Sequence, residues 1–347
     1  MSQRPLVSIV IATFNSQLTL PKVLVSIKNQ NYPKNKIEIL IIDGVSQDST
    51  LSIARKFKCK ILNNPKRDQV YAKNLGYKKA KGKYLMFLDS DEVLSNKNSI
   101  RNKSNAMLLD SNLKAVTSSG YKTPPNFSSI NSYINEFGDP FSYFIYRCSR
   151  DYKFFINETK TRYEREYENK NVVVFDFSKE KNIPFIELTS MGVLIDLSYV
   201  KKELPEVLTN TPAHTHLFYL LTREGKYFGI SKHDPIIHYS VSTFSKYLKK
   251  ITSRIKSNIY STNMGLAGYK GREEYYSFWT NLKKILFIPY SLTLILPIYD
   301  SISLAISRKK SIYLLHLFLC LYTVFFIVYY NILKIIGVKI KLSGYGT

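Results

Sequence analysis

Gly82-Lys83-Tyr84-Leu85-Met86-Phe87-Leu88-Asp89-Ser90-Asp91-Glu92 joins a hydrophobic pattern to an acidic one with nothing between them. Tyr84 to Leu88 is an unbroken apolar run of strand length, as expected of a strand covered on both faces in a parallel sheet. It stops at Asp89 and Asp91, carboxylates that a buried strand tolerates only at its exposed carboxyl end. Open α/β sheets bind their ligands at that end. Two carboxylates one residue apart on a turn can converge on one hard divalent cation, Mg2+ or Mn2+, which keeps its other positions for water and a diphosphate. Taken alone, the pair also reads as a solvated acidic turn with a helix cap. The rest of the chain decides between the two.

Working back toward the amino terminus, Leu6 to Ala12 is a second buried strand, ending in the polar turn Thr13-Phe14-Asn15-Ser16. A helix follows, with Pro21 suited to its first turn and Leu20, Val23, Leu24 and Ile27 on one face. Ile37 to Ile42 is another strand and ends in Asp43, with Gly44 permitting the turn and Asp48 or Ser49 capping a helix from Thr50. A short strand, Cys59 to Leu62, precedes a helix over 68–79. Strands alternating with helices of this length predict βαβ units and a mostly parallel sheet. Thr13, Asp43 and Asp89 would then line one crevice.

The chain has 347 residues, room for one large domain with an appendage or two of medium size. Its 50 Lys and Arg against 26 Asp and Glu give a formal charge of +24, which calls for a polyanionic neighbour. The charge thickens between residues 246 and 284, just before the most apolar part, and this favours a membrane surface over nucleic acid. Cys59, Cys148 and Cys320 give neither a disulfide framework nor zinc spacing, so a reducing compartment is expected. Met1 to Pro5 lead into a strand without a signal-peptide pattern.

Val7 to Asn15, the turn Asp43-Gly44-Val45-Ser46-Gln47-Asp48-Ser49-Thr50, Ala72-Lys73-Asn74-Leu75-Gly76, Ala80-Lys81-Gly82 and Leu88-Asp89-Ser90-Asp91 together resemble, in order and spacing, the family 2 glycosyltransferases with the GT-A fold. The resemblance is strong to about residue 100 and weak to about residue 240, and its specificity lies in the set rather than in any one element. It implies a nucleotide-diphosphate sugar donor, a divalent metal and inversion at the anomeric carbon. On that resemblance Ala12, Thr13, Asn15, Asp43 and Ser46 belong to the nucleoside and donor side, Lys73 and Asn74 contact the donor, and Asp89 and Asp91 hold the metal. The physical case is independent of the resemblance: a departing diphosphate gains charge as the glycosidic bond breaks, and a bound cation stabilises that charge most in the transition state. Lys73 can add a point charge, or be a solvated helix lysine; Gly76 suits close helix-to-strand packing.

Residues 99–120 read as a helix and the strand Lys114 to Thr117, whereas 121–182 is aromatic, charged and without clear period. Arg147, Arg150, Arg162 and Arg165, set among tyrosines there, suit an acceptor-side surface or an ordinary solvated insertion. Ile186 to Ile195 is expected to return to the sheet, with Ser190 and Gly192 leaving room for substrate. Residues 211–225 read as a helix with Thr211 as cap, Pro212 in the first turn and Gly225 as stop. It resembles the family helix whose first turn carries Glu-Asp, the Asp being the general base; this chain has Ala213-His214. Three accounts fit: His214 is the base, the acceptor is a lipid phosphate that is already ionised and needs none, or activity has been lost. His238 falls where related enzymes place a histidine near the diphosphate or its metal, and equally suits a buried, capped position.

Phe244 to Tyr260 is an amphipathic helix with Tyr247, Leu248, Ile251, Ile255 and Ile259 on one face and cations elsewhere, suited to an anionic leaflet or to packing on the catalytic domain. Residues 312–336 are long and apolar enough to span a bilayer, while 285–306 is broken by Pro289, Pro297 and Asp300 into a kinked or re-entrant segment. Arg308, Lys309 and Lys310 between them conflict with a plain hairpin under the positive-inside rule. No Gln-x-x-Arg-Trp motif surrounds Trp279, which disfavours a processive synthase. The expected organisation is an α/β GT-A catalytic domain, Rossmann-like, over 1–243, a basic membrane-surface region over 244–284, two membrane segments over 285–337 and a tail over 338–347. The expected function is transfer of a sugar from a nucleotide-diphosphate donor, on the cytoplasmic face of the cell membrane, to a lipid-linked acceptor. A catalytically silent scaffold, or transfer to a protein or polysaccharide hydroxyl, are the alternatives.

Overall fold

The computed structural model describes residues 4–180, 190–210, 213–260, 276–340 and 342, with residues 214 and 215 described by their backbone alone. These residues form two compact units, one drawn from 4–122, 152–180 and 190–239 and the other from 123–151, 240–260, 276–340 and 342.

The first unit begins with β1 (Val7–Thr13), α1 (Leu20–Lys28), β2 (Ile37–Asp43), α2 (Thr50–Lys56), β3 (Lys60–Asn63), α3 (Gln69–Lys79) and β4 (Tyr84–Asp89). β5 (Glu92–Leu94), α4 (Ser99–Leu109), β6 (Leu113–Thr117) and β7 (Tyr121–Lys122) follow. The intervening α5 (Ile130–Phe137) and α6 (Pro140–Tyr146) belong to the second unit. The first resumes with α7 (Phe155–Lys160), β8 (Tyr167–Glu168), β9 (Val172–Phe175), β10 (Leu194–Asp196), α8 (Leu197–Glu203) and α9 (Glu206–Thr209). It ends with a 3-10 turn at Ala213–His216, α10 (Leu217–Arg223), β11 (Tyr227–Ser231) and β12 (Ile236–His238).

Nine strands pair in the order β3-β2-β1-β4-β10-β6-β11-β9-β8, and β5-β12-β7 form a separate small sheet. β1 to β4 are mutually parallel, and in the whole nine only β10 and β9 run against the others. The inner parallel strands are buried on both faces and read as continuous apolar runs: Val7, Ile9, Ile11, Leu40, Ile41 and Leu85 are all fully buried, while the edge strand β3 is partly exposed. Asp68 caps α3 by accepting from Tyr71 N at 2.7 Å. Gly76 lets that helix lie against β1, since a Cβ there would stand 2.7 Å from Val10 Cγ1. A buried ion pair, Lys103 to Asp234 at 3.2 Å, joins α4 to the turn before β12, and Lys103 Nζ also donates to Ser118 Oγ and Gly192 O, each at 2.7 Å.

The second unit takes in α5, α6, α11 (Phe244–Tyr260), α12 (Phe278–Leu292), α13 (Ile295–Arg308) and α14 (His316–Ile335). Residues 123–151, which the sequence reading kept within 1–243, pack here because Ile130, Tyr133, Ile134 and Phe137 share a core with Tyr247, Ile251, Leu319 and Tyr330. Two ion pairs fasten the segment: Glu136 with Arg308 and Arg147 with Asp300, each at 2.7 Å. Tyr247, Ile251 and Ile255 are therefore spent on packing, and the face of α11 expected to meet a leaflet is covered. α12 and α13 meet at 91°, with Leu294 at φ 59° in the break. The helix Ser311–Ile335 is long and apolar enough to cross a membrane, with mean hydropathy 2.2 and only 33% of its most apolar window buried.

Candidate active site

The carboxyl end of β1 is the centre of the site. Ala12 lies opposite Asp89 of β4 on one side, and Thr13 opposite Asp43 of β2 on the other. Two strand spacings put the Asp43 and Asp89 backbones about 10 Å apart, a separation that a nucleoside diphosphate can bridge. Asp43 is 3% exposed and fully engaged: Oδ1 accepts from Thr13 Oγ1 at 2.9 Å and Ser46 Oγ at 2.6 Å, and Oδ2 accepts from Ser46 N at 2.8 Å. Asn15 N donates to Ser46 Oγ and Gln47 N to Asn15 Oδ1, both at 2.9 Å, which ties the turn after β1 to the turn after β2. Thr13, Asn15, Asp43 and Ser46 are thus one hydrogen-bonded unit. Asn15 of this unit sits in the left-handed region at φ 47°, as does Val45 in the turn between Asp43 and Ser46 at φ 66°.

Around Asp89 and Asp91 the structure gathers the expected Lys73 and His238 with three residues that the sequence reading missed, Gln69, Ser16 and Glu92. Gln69 Nε2 donates to Asp89 Oδ1 at 3.0 Å, Lys73 Nζ stands 3.8 Å from the same oxygen, and Ser16 Oγ donates to Ser90 Oγ at 2.9 Å. Glu92 is 3% exposed; it accepts from Tyr121 OH at 2.6 Å and from Asp89 N at 3.1 Å. Burial, with the neighbouring Asp89 and Asp91 carboxylates, pushes Glu92 up to about 7 against the opposing pull of His238 and the Tyr121 bond. His238 Nε2 lies 3.6 Å from Asp91 Oδ2, and its ring stacks on Tyr121 at 4.5 Å between centroids. The only hint of Glu92 in the sequence is its place directly after the two aspartates.

Among the described residues no three His, Cys, Asp or Glu side chains form a ready-made metal cage. Asp89 and Asp91 are 39% and 24% exposed in their side chains, so both carboxylates remain accessible as hard oxygen donors. That donor set fits Mg2+ or Mn2+, which binds through one or two carboxylates and completes its shell with phosphate oxygens and water.

Three expectations change. Asn74 is 1% exposed and donates to Val207 O at 2.8 Å, so it is placed as a tie between α3 and α9 rather than on an open surface. Arg147 pairs with Asp300, Arg150 donates to Ile134 O at 2.8 Å and Arg165 pairs with Glu168 at 2.9 Å, so these three are structural contacts rather than an acceptor surface. Gly192 leaves no room for substrate, because a Cβ there would meet Ile236 Cδ1 at 3.0 Å and Leu88 Cδ2 at 3.2 Å. The His214 side chain, Thr211, Pro212 and residues 186–189 lie outside the described residues.

Residues 8–102 match the family model described as glycosyl transferase family 2. The chain is 42% identical over 87 residues to the dolichyl N-acetyl-alpha-D-glucosaminyl phosphate 3-beta-D-2,3-diacetamido-2,3-dideoxy-beta-D-glucuronosyltransferase of Methanococcus voltae, covering 23% of this chain and 27% of that protein. It is 34% identical over 96 residues to glycosyltransferase AglE of Haloferax volcanii, covering 26% and 32%. It is 44% identical over 92 residues to UDP-Glc:alpha-D-GlcNAc-diphosphoundecaprenol beta-1,3-glucosyltransferase WfaP of Escherichia coli, covering 25% and 36%. The chain thus spans about a third or less of the length of these curated relatives. Among solved structures, the mannosyltransferase PcManGT from Pyrobaculum calidifontis in complex with GDP-Man and Mn2+ shares the fold, with a TM-score of 0.50 and 14% identity over 96% of this chain and 88% of that one. With polar residues gathered at one end of β1, β2 and β4, residues 8–102 carry the sequence pattern of glycosyl transferase family 2 on a mostly parallel sheet, and the fold is shared with the mannosyltransferase structure.

Proposed function

We propose that this protein is a membrane-attached, inverting glycosyltransferase that moves a sugar from a nucleotide-diphosphate donor to a lipid-linked acceptor, a polyprenyl phosphate or polyprenyl-diphosphate glycan. The observation that carries the reading is the register of β1, which sets Asp43 and Asp89 on either side of a single strand end. Asp43, nearly without exposure and held by Thr13 and Ser46, fixes the two turns that would frame a nucleoside. Asp89 and Asp91 are the residues that would hold Mg2+ or Mn2+, which when bound neutralises charge on the departing diphosphate. Lys73, beside Asp89, adds a positive charge at the same place, and Gln69 and the backbone bond to Glu92 fix the turn that carries the pair. His238, in reach of Asp91, orients that carboxylate or joins it as a ligand.

The names of the Methanococcus and Escherichia relatives specify a dolichyl phosphate sugar and a diphosphoundecaprenol-linked sugar. They support a lipid-linked acceptor here. An acceptor phosphate is ionised near neutral pH and attacks without a base, which is in keeping with Ala213-His214 standing in place of Glu-Asp. For a hydroxyl acceptor His214 is the base. Membrane attachment is supported by exposed apolar side chains on the second unit: Ile295 at 75%, Ile306 at 71%, Phe325 at 62% and Ile335 at 83%. With α12 and α13 meeting at a right angle rather than forming one straight span, the basic turn Arg308 to Lys310 can lie on the same side of the bilayer as the basic α11, which relieves the conflict with the positive-inside rule. That side is cytoplasmic, where nucleotide sugars are made.

Membranes containing the protein, incubated with a panel of labelled nucleotide sugars and Mn2+, are expected to transfer label into the lipid extract. Label released only as free sugar, or none entering lipid with any donor, would overturn the acceptor assignment. The replaced Glu-Asp favours one other reading, a scaffold that keeps the fold without the chemistry; donor turnover of any kind excludes it.

A further inference from the structure

Each strand of the small sheet supplies one residue behind the acidic turn: Glu92 from β5, Tyr121 from β7 and His238 from β12. Register sets Glu92 opposite His238 in the pairing of β5 with β12, and β7 joins with Tyr121 opposite Ile236. Through these residues a closed chain of contacts runs from one aspartate to the other. It starts at Asp89 N, which donates to Glu92 Oε2 at 3.1 Å, and continues to Tyr121 OH, which donates to Glu92 Oε1 at 2.6 Å. The Tyr121 ring stacks on His238, whose Nε2 stands 3.6 Å from Asp91 Oδ2. One residue further along, Tyr239 N donates to Asp91 O at 3.0 Å and pins the backbone of the second aspartate. Glu92 is the pivot: it is 3% exposed and takes a hydrogen bond from inside the protein on each of its oxygens. Burying a third carboxyl group beside two others works against stability, and these two bonds offset that cost.

We infer that Glu92 is a positioning residue for cation binding: through the Asp89 amide on one side, and Tyr121 with His238 on the other, it fixes the placement of the Asp89 and Asp91 carboxylates relative to each other. The inference rests on the reading that this pair holds Mg2+ or Mn2+, and it names what keeps the pair in place. Two carboxylates on a free turn repel each other and spread, so a cation binding there must order the turn as well as coordinate to it. A turn already fixed leaves that ordering done before the ion arrives. Glutamine at 92 cannot do the same, because its amide has one acceptor oxygen for two donors. Phenylalanine at 121 keeps a ring to stack on His238 and removes only the hydroxyl that holds Glu92.

The test is a titration of the full chain, purified in detergent, with Mn2+ alone, following the signal of the free ion by electron paramagnetic resonance. Wild type is expected to bind Mn2+, Asp91→Ala to lose that binding, and Glu92→Gln and Tyr121→Phe each to weaken it roughly tenfold. The Glu92→Gln/Tyr121→Phe protein is expected to bind no more weakly than the weaker single variant, because both changes break the same chain of contacts. Wild-type affinity in either single variant, or losses that multiply in the double variant, would overturn the inference. So would a lowered melting temperature with Mn2+ affinity intact, which would leave Glu92 a role in the fold alone. Tyr121→Phe, one hydroxyl short of wild type, decides by itself where Glu92→Gln does not fold. Absence of Mn2+ binding in wild type, or binding that survives Asp91→Ala, removes the acidic-pair reading and this inference together; binding lost in Asp91→Ala but unweakened in the other variants removes this inference alone.

Discussion

Val45 occupies a left-handed backbone conformation, φ 66°, in the turn that carries Asp43 and Ser46. A β-branched side chain pays of order 1–3 kcal/mol there, and such strain persists where the surroundings over-determine the turn. Val45→Gly is therefore expected to raise the thermal midpoint by a few degrees, since Val45 is 40% exposed and gives up little packing. A lowered midpoint would mean that the side chain contributes more than the strain costs. Asp91→Ala is expected to reduce donor turnover roughly a hundredfold or more with an unchanged circular dichroism spectrum, because the residue is part-exposed and serves no core contact. Unimpaired turnover would remove the acidic pair from the chemistry. Thr13, Asp43 and Asp89 were legible in the sequence because each ends the apolar run of its strand with a polar side chain, and Asp91 because it follows two residues later. The true position of Asn74 was not, since its partner Val207 is distant in the chain and no periodicity links the two. Glu92 was hidden for a different reason: its burial depends on β12 and Tyr121, which are joined to it only by tertiary pairing.

At the level of elements, α4 and the turn before β12 are joined by Lys103 and Asp234, both without solvent exposure in their side chains. Lys103→Met leaves a buried carboxylate with its main counter-charge gone and is expected to cost about 3–5 kcal/mol in a urea titration. Adding Asp234→Leu to the same protein should recover part of that loss; a single variant as stable as wild type would show the pair to be dispensable. A more exposed cluster makes a pH-dependent tie. Glu168 of β8 is held by Lys160, Lys232 and Arg165, and the bonds from Lys160 and Lys232 bring it down to about 2. Its folded value lies below the ordinary 4.5, so the stabilisation is present above pH 4.5 and is lost as the pH falls through 2. Glu168→Gln is expected to flatten acid unfolding in that window by roughly 1 kcal/mol or less, given screening by solvent. An unchanged acid limb would argue that the cluster holds nothing. β1, β2, β4 and α1 stood out in the sequence because each carries an apolar run or an apolar face of the length of the element. Residues 121–182 did not, because α5, α6 and α7 are short and are ended by backbone turns such as Gly138 at φ 79° and Arg147 at φ 49°.

At the level of the molecule, the second unit leaves Ile295, Ile306, Phe325 and Ile335 exposed, the side chains that the proposed membrane attachment would cover. The chain is expected to stay in the membrane pellet after a high-salt and alkaline wash and to come into solution only with detergent. Release by salt alone would reduce the attachment to electrostatics. The amphipathic pattern of α11 was read correctly as a helix, yet its partner could not be foreseen: the same periodicity serves a bilayer surface and a neighbouring α14, and only packing tells them apart. The large sheet carries a further consequence through β10, the antiparallel strand seated between β4 and β6. β4 leaves the ribosome roughly a hundred residues ahead of the strand that seals its flank, so at ordinary elongation rates a row of unsatisfied amides and carbonyls stays open for on the order of ten seconds. The nascent parallel half is for that interval an open template for a passing extended peptide, until Leu194 arrives to pair with Met86.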